Sequence, residues 1–235
     1  MRQNGVRCLL MGGQACVFYG AAEFSRDLDL VILLDDVNLD RLRHAFVELD
    51  ASPIAVPTLD RDALSRGHAV HFRCRRPGVL GLRIDIMSRL RGVSSFEELW
   101  ERRTTIEADG ETIDLLSLPD LVRAKKTQRD KDWPMIRRLV EQSFYSTDEP
   151  SEQAVAFWLA ELRSPELLLE VADRYPDAAL RSPRETVQAA LRRDRDAIEA
   201  ELDAEQQAER AADRLYWEPL MKELEQLRLA RRTQP

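Results

Sequence analysis

Residues 12–34 read GGQACVFYGAAEFSRDLDLVILL, and this stretch decides the fold. Two adjacent glycines and a third at Gly20 lead into an apolar run that carries Asp27 and Asp29. Alternate side chains of a strand share a face, so Asp27, Asp29, Val31 and Leu33 point one way, and Leu28, Leu30, Ile32 and Leu34 the other. The two acids are then neighbours, with Cα atoms about 6.5–7 Å apart. Like charges that close resist joint ionisation unless a cation lies between them. A hard, oxygen-ligated divalent ion such as Mg²⁺ or Mn²⁺ removes the conflict, since it takes one or two carboxylates and completes its shell with water and substrate phosphates. A purely structural role for Asp27, capping or pairing with Arg26, is the alternative. It leaves two acids on an apolar strand at a cost.

Working outward, HAVHFRC and VLGLRIDIM flank the turn signal RRPG and read as a hairpin. In the second of these runs Leu80, Leu82, Ile84 and Ile86 define one face, leaving Arg83 and Asp85 on the other. If this strand pairs beside 28–34, Asp85 joins Asp27 and Asp29 across the ladder, and three carboxylates can hold two metals. A plain salt bridge to Arg83 is the competing fate of Asp85. Gly12 and Gly13 sit where a first strand, 6–11, turns into a short helix, 14–19. Bare backbone N–H groups there can approach a phosphate with no Cβ in the way. Neither GxGxxG nor GxxxxGK[ST] occurs, which excludes the Rossmann and Walker fingerprints.

These residues bring a family into view. GGQACVFYGAAEFSRDLDLVI resembles the signature of the nucleotidyltransferase superfamily, a glycine pair followed by Asp-x-Asp in a strand, with Asp85 of RIDIM in the place of the third acid. The segment LSLPDLVRAKKTQRDKDW is similar to a stretch in minimal nucleotidyltransferases related to the AbiEii-like abortive-infection toxins. The likeness covers roughly 6–144. It implies a nucleotidyltransferase-fold mixed sheet flanked by helices, and transfer of a nucleoside monophosphate from an NTP such as ATP to an RNA, protein or small-molecule hydroxyl. It implies that Asp27, Asp29 and Asp85 ligate the catalytic and nucleotide metals and that Asp85 helps activate the incoming hydroxyl. Gly12, Gly13, Ser25, Lys125, Lys126 and Arg129 would meet the nucleotide, with Asp132 in support. A phage-defence or toxin–antitoxin setting goes with that branch. Where relatives commonly carry an Arg and a Thr before the acids, this chain has Glu23 and Ser25. That departure favours a rival, a catalytically degenerate fold serving as a binding module. A phosphohydrolase using the same acids would bring more histidines or acids than stand here.

The rest of the chain sets bounds. It has 235 residues, 44% apolar and 33% charged, with a net charge of −7, which argues against a general nucleic-acid coat protein. No apolar run spans a bilayer and the first residues lack a signal-peptide cleavage site, so a cytoplasmic protein is expected. Cys8, Cys16 and Cys74 form no CxxC pair and read as small buried hydrophobes. Asn38 is placed to cap a helix over 39–49, and TTIEA and ETIDLLS flank Asp109 and Gly110 as a second hairpin. Strand signals end near Ser117, which is placed to cap the next helix. Over 122–138 seven basic residues stand against two acids. On a helix Lys125 and Arg129 would share a face as a wall for phosphates, the alternative being a solvated face. His71 reads as an exposed residue of an outer face, and the four tryptophans as packing anchors. Pro165, Pro176 and Pro183 mark breaks or helix starts, and 184–232 reads as one long helix interrupted at Pro219. The expectation is an α/β (α+β) domain over 1–145, then a helical C-terminal region over 151–235 with narrow apolar stripes, placed to pack over the first domain or to meet a partner protein.

Overall fold

The computed structural model describes residues 1–108 and 110–233. Seven strands form one mixed sheet in the order β3-β4-β5-β2-β1-β7-β6. They are β1 (Cys8–Met11), β2 (Asp27–Ile32), β3 (Ala51–Pro53), β4 (Val70–Cys74), β5 (Arg83–Met87), β6 (Thr104–Ala108) and β7 (Glu111–Leu115). The glycine pair opens α1 (Gly12–Phe18), and α2 (Asp36–Glu48), α3 (Arg61–Arg66), α4 (Phe96–Glu101) and α5 (Leu118–Ala124) complete the helices around the sheet. Only helices follow: α6 (Asp132–Tyr145), α7 (Glu152–Glu161), α8 (Pro165–Arg174), α9 (Pro176–Arg181), α10 (Glu185–Leu191) and α11 (Arg195–Thr233). The expected class, a mixed sheet flanked by helices and followed by a helical region, is what the chain adopts. No described helix is long and apolar enough to cross a membrane.

The chain divides into two compact units. The first holds Met1–Phe18, Ala22–Ala124 and Leu215–Pro235; the second holds Tyr19–Ala21 and Lys125–Arg214. The loop between α6 and α7 belongs to the second.

In the first unit the decisive pairing is parallel: β2 lies beside β5, with Asp27 opposite Arg83 and Asp29 opposite Asp85. β1 runs antiparallel to β2 and sets Met11 opposite Asp29, while β4 runs antiparallel to β5 and sets His71 opposite Asp85. The alternate positions Leu10, Leu30, Ile32, Val70, Phe72, Ile84 and Ile86 are buried and form the core face. Each fully buried aliphatic side chain there contributes about 1.5–3 kcal/mol of transfer free energy. The ring of Phe46 from α2 lies 4.1 Å from that of Phe72, which covers the same face.

Local readings fared unequally. Both hairpins form, β4 with β5 and β6 with β7; Asp109 lies outside the described residues, as do residues 234 and 235. The Ser117 hydroxyl accepts from the Asp120 amide at 3.3 Å, as a cap of α5 should. Asn38 does not cap α2. Asp35 does, accepting from the Asn38 amide at 2.7 Å. Asn38 instead is 1% exposed and ties β1 to β2, accepting from the Arg7 amide and donating to the carbonyls of Arg7 and Leu33. Cys16 and Cys74 are buried, Cys8 is half-buried, and none of the three forms a disulfide.

In the second unit Pro165 and Pro176 sit in the first turns of α8 and α9. The helices from 151 onward bury more than narrow stripes: Val155, Trp158, Leu168, Val171, Val187 and Ile198 are all 4% exposed or less. The ring of Phe144 meets that of Trp158 edge-on at 5.1 Å. Pro219 does not interrupt α11; the break falls at Arg192–Asp194, where Arg193 adopts a positive φ of 58°. In the first unit the helix around Pro219 is held from one face. Leu220 is buried, and Glu223 receives bonds from Arg66 and His68.

Candidate functional site

The site is built on one face of the sheet at the β2–β5 ladder. The parallel register sets Asp27 and Asp29 of β2 directly across from Arg83 and Asp85 of β5, all four on the face opposite Leu30, Ile84 and Ile86. From β4, His71 and Arg73 join the same face opposite Asp85 and Arg83. The three acids expected to converge therefore stand on adjoining positions of two paired strands.

Asp85 is fully engaged. Its Oδ1 accepts from Arg83 Nε at 2.8 Å and lies 2.8 Å from His71 Nδ1, and its Oδ2 accepts from Arg83 Nη2 at 2.9 Å. The fork of a guanidinium on a carboxylate is the strong, geometrically specific form of ion pair. Burial pushes the Asp85 carboxyl up, but the bonds from His71 and Arg83 outweigh it and hold the group below the ordinary aspartate value. The bond to Asp85 raises the Arg83 guanidinium above its already high value, and the charges of Asp27 and Asp29 add to the effect. So the cation serves the whole acidic face, not Asp85 alone.

His71 is not the exposed outer residue that HAVHFRC implied when read alone. Its side chain is 26% exposed and bonded to Asp85. The signal was present in the pairing: alternation places His71 opposite Val70 and Phe72, and a hairpin with β5 brings that face to the acid.

The glycines are shaped by the same acid. Gly12 has φ +66°, and a Cβ placed on it would lie 2.0 Å from Asp29 Oδ2. Asp29 thus packs its carboxylate into the space a side chain at 12 would fill. A Cβ on Gly13 would lie 2.4 Å from Ser25 Oγ, so the loop ahead of β2 folds closely over α1. That loop is pinned by Gln14 Nε2 donating to the Ser25 carbonyl at 2.7 Å. Glu23 and Arg26 are exposed.

From Lys125 onward the basic segment lies in the second unit, and it is not one helix. α5 ends at Ala124 and α6 begins at Asp132, so Lys125 and Arg129 occupy the connection and share no helical face. Asp132 organises it: Lys125 Nζ is 3.5 Å from Oδ1, and Oδ2 accepts from Thr127 Oγ1 at 2.6 Å and from Arg129 Nε at 2.7 Å. Asp132 and Lys125 are buried, while Arg129 remains 59% exposed. Lys126 pairs with Glu161 at 2.8 Å.

As to a metal, among the described residues no three His, Cys, Asp or Glu side chains are grouped so as to hold one. Asp27 and Asp29 offer two carboxylates on one face, which is a donor set of the kind a single Mg²⁺ or Mn²⁺ takes. Asp85 adds no donor while both its oxygens serve Arg83 and His71.

No family model matches the chain, and a search of curated proteins found no match. Two solved structures show some likeness. One is an antigenic nucleotidyltransferase-like protein from Paracoccidioides brasiliensis, 17% identical, covering 76% of this chain and 85% of its own, with a TM-score of 0.40. The other is a proposed nucleotidyltransferase from H. pylori, 13% identical, covering 89% of each chain, with a TM-score of 0.38. A likeness at this level assigns neither family nor activity.

Proposed function

We propose that the chain is a nucleotidyltransferase that moves a nucleoside monophosphate from an NTP to a hydroxyl acceptor, using a divalent ion held by Asp27 and Asp29. The observation that carries this reading is the packing of the Asp29 carboxylate against Gly12, with Asp27 on the same face of β2 and both acids half-buried. The resemblance of GGQACVFYGAAEFSRDLDLVI to the superfamily signature supports it. When bound, Mg²⁺ or Mn²⁺ supplies neutralisation of the triphosphate and of the departing pyrophosphate. The strand fixes Asp27 and Asp29, so little reorganisation is needed as charge moves. The acceptor oxygen bonds the α-phosphorus and gives up its proton to water, the bond to the β-phosphate oxygen breaks, and pyrophosphate leaves. ATP as donor, RNA or protein as acceptor, a cytoplasmic site of action and a defence or toxin–antitoxin setting belong to the same proposal.

A second reading is a binding module without turnover. The observation favouring it is the commitment of Asp85 to Arg83 and His71. Incubation with each α-labelled NTP, Mg²⁺ or Mn²⁺ and cell lysate separates the two. Label transfer by the wild type and its loss in Asp29→Asn is the expected result. Transfer that survives Asp29→Asn refutes the catalytic reading, and no transfer by the wild type with any of the four NTPs favours the module.

A further inference from the structure

Resting on the catalytic reading above, we propose that Arg83 supplies, as a fixed guanidinium, the positive charge that a second divalent ion would otherwise bring. The site then binds one ion, on Asp27 and Asp29, and Asp85 is a positioning residue for Arg83, not a metal ligand.

Three observations converge on Arg83. The first is the bond set on Asp85: three contacts at 2.8–2.9 Å, from Arg83 Nε, Arg83 Nη2 and His71 Nδ1, occupy both of its oxygens. For Asp85 to ligate an ion it would have to release the fork, leaving a half-buried guanidinium without its closest counter-ion, and breaking such a pair is costly. The second is order of exposure. The Asp85 side chain is 15% exposed and that of Arg83 is 37%, so the acid lies beneath and the guanidinium is the group that solvent, or a phosphate, meets. The Nε and Nη2 edges are spent on Asp85, and Nη2 also lies 3.1 Å from His71 Nδ1. Among the described residues none bonds Nη1, so on a side chain 37% exposed that edge is left for an incoming anion.

The third is charge. On these three strands Asp27, Asp29 and Asp85 share a face with Arg83 and Arg73, five side chains that together carry one net negative charge. One divalent ion turns the face mildly positive, which suits a triphosphate. Two would crowd four further charges beside two arginines, against like-charge repulsion. His71 completes the arrangement by holding Oδ1 of Asp85 from the other strand.

The test counts Mn²⁺ bound to the purified full chain by electron paramagnetic resonance, with the metal alone as probe. The wild type should bind one ion, and Asp29→Asn should lose it. Asp85→Asn, which keeps the shape of the residue, should retain one ion. Arg83→Met should bind Mn²⁺ about tenfold more tightly, because a neighbouring cation is gone, and Arg83→Lys, which restores the charge, should return affinity to the wild-type range. Two ions per wild-type chain, with the second lost in Asp85→Asn, would overturn the inference about Arg83 while leaving nucleotidyl transfer standing. So would an Arg83→Met variant of unchanged affinity. A wild type that binds no Mn²⁺ refutes the one-ion site and the catalytic reading together.

Discussion

Replacing Gly12 with alanine tests whether Asp29 is the reason for the glycine. Two separate costs follow from the geometry. The residue has φ +66°, and an L side chain in that region costs roughly 1–2 kcal/mol. In addition the new Cβ would lie 2.0, 2.5 and 2.7 Å from Oδ2, Cγ and Cβ of Asp29. The Asp29 Cβ belongs to the strand, so rotating the carboxylate away does not relieve the clash, and either β2 or α1 has to shift. Forcing extra volume into a packed site typically costs about 1–3 kcal/mol. The sum, about 2–5 kcal/mol, is a large part of an ordinary stability of about 5–15 kcal/mol. Gly92 is the control: its φ is +68° and a Cβ there meets nothing within 4 Å, so Gly92→Ala carries the backbone cost alone. With about 2–4 °C of melting temperature per kcal/mol for a chain of this size, Gly12→Ala should melt roughly 2–12 °C below Gly92→Ala when followed by circular dichroism. Its Mn²⁺ affinity should fall as well, since Asp29 is the group displaced. Equal melting temperatures for the two variants, or a Gly12→Ala variant with wild-type Mn²⁺ binding, would refute the coupling between the turn and the acid.

Two further outcomes are expected. Glu205 accepts from Arg184 Nε and Nη2, each at 2.8 Å, and from Thr186 Oγ1 at 2.6 Å, with Arg163 at 3.3 Å. Burial pushes its carboxyl up, but Arg184, Thr186 and Arg163 hold it below the ordinary glutamate value of 4.5. Its contribution is therefore complete above that value and is lost as pH falls through the lower folded one. Glu205→Gln should cost about 2–3 kcal/mol at pH 7, discounted for the 30% exposure of the acid. It should also flatten the decline of the melting temperature between pH 5 and pH 3; an unchanged acid slope would count against the network. Burial pushes the Cys8 thiol up to about 11, and Cys16 is fully buried. Iodoacetamide at pH 8 should therefore label both only after unfolding, as mass spectrometry would read, and rapid alkylation of either in the native chain would contradict their packing.

How far the sequence disclosed this site depends on which kind of pattern each residue obeys. Asp27, Asp29, Arg83 and Asp85 obey period-two alternation, a property of the strand itself, and so the face they share was legible from DLDLVI and RIDIM. The pairing of β2 with β5 was legible only as a condition, because strand order is set by packing and not by either run alone. His71 was misread for that reason: within HAVHFRC it looks outward, and only the antiparallel register with β5 turns outward into a bond with Asp85. Lys125 and Arg129 failed in the opposite direction. Their spacing fits a helix, but the buried carboxylate of Asp132 gathers Lys125, Thr127 and Arg129 into a connection, and that gain outweighs continued helix. Asn38 shows the same competition between local and distant partners. A cap needs one acceptor, which Asp35 provides, whereas bridging Arg7 and Leu33 requires both a donor and an acceptor, which an amide has and a carboxylate lacks. Where a residue's partners lie within its own element the sequence is read correctly. The chemistry of this site turns on partners carried by neighbouring strands, and Arg83, joined to Asp85 within its own strand and facing Asp27 across the ladder, belongs to both classes.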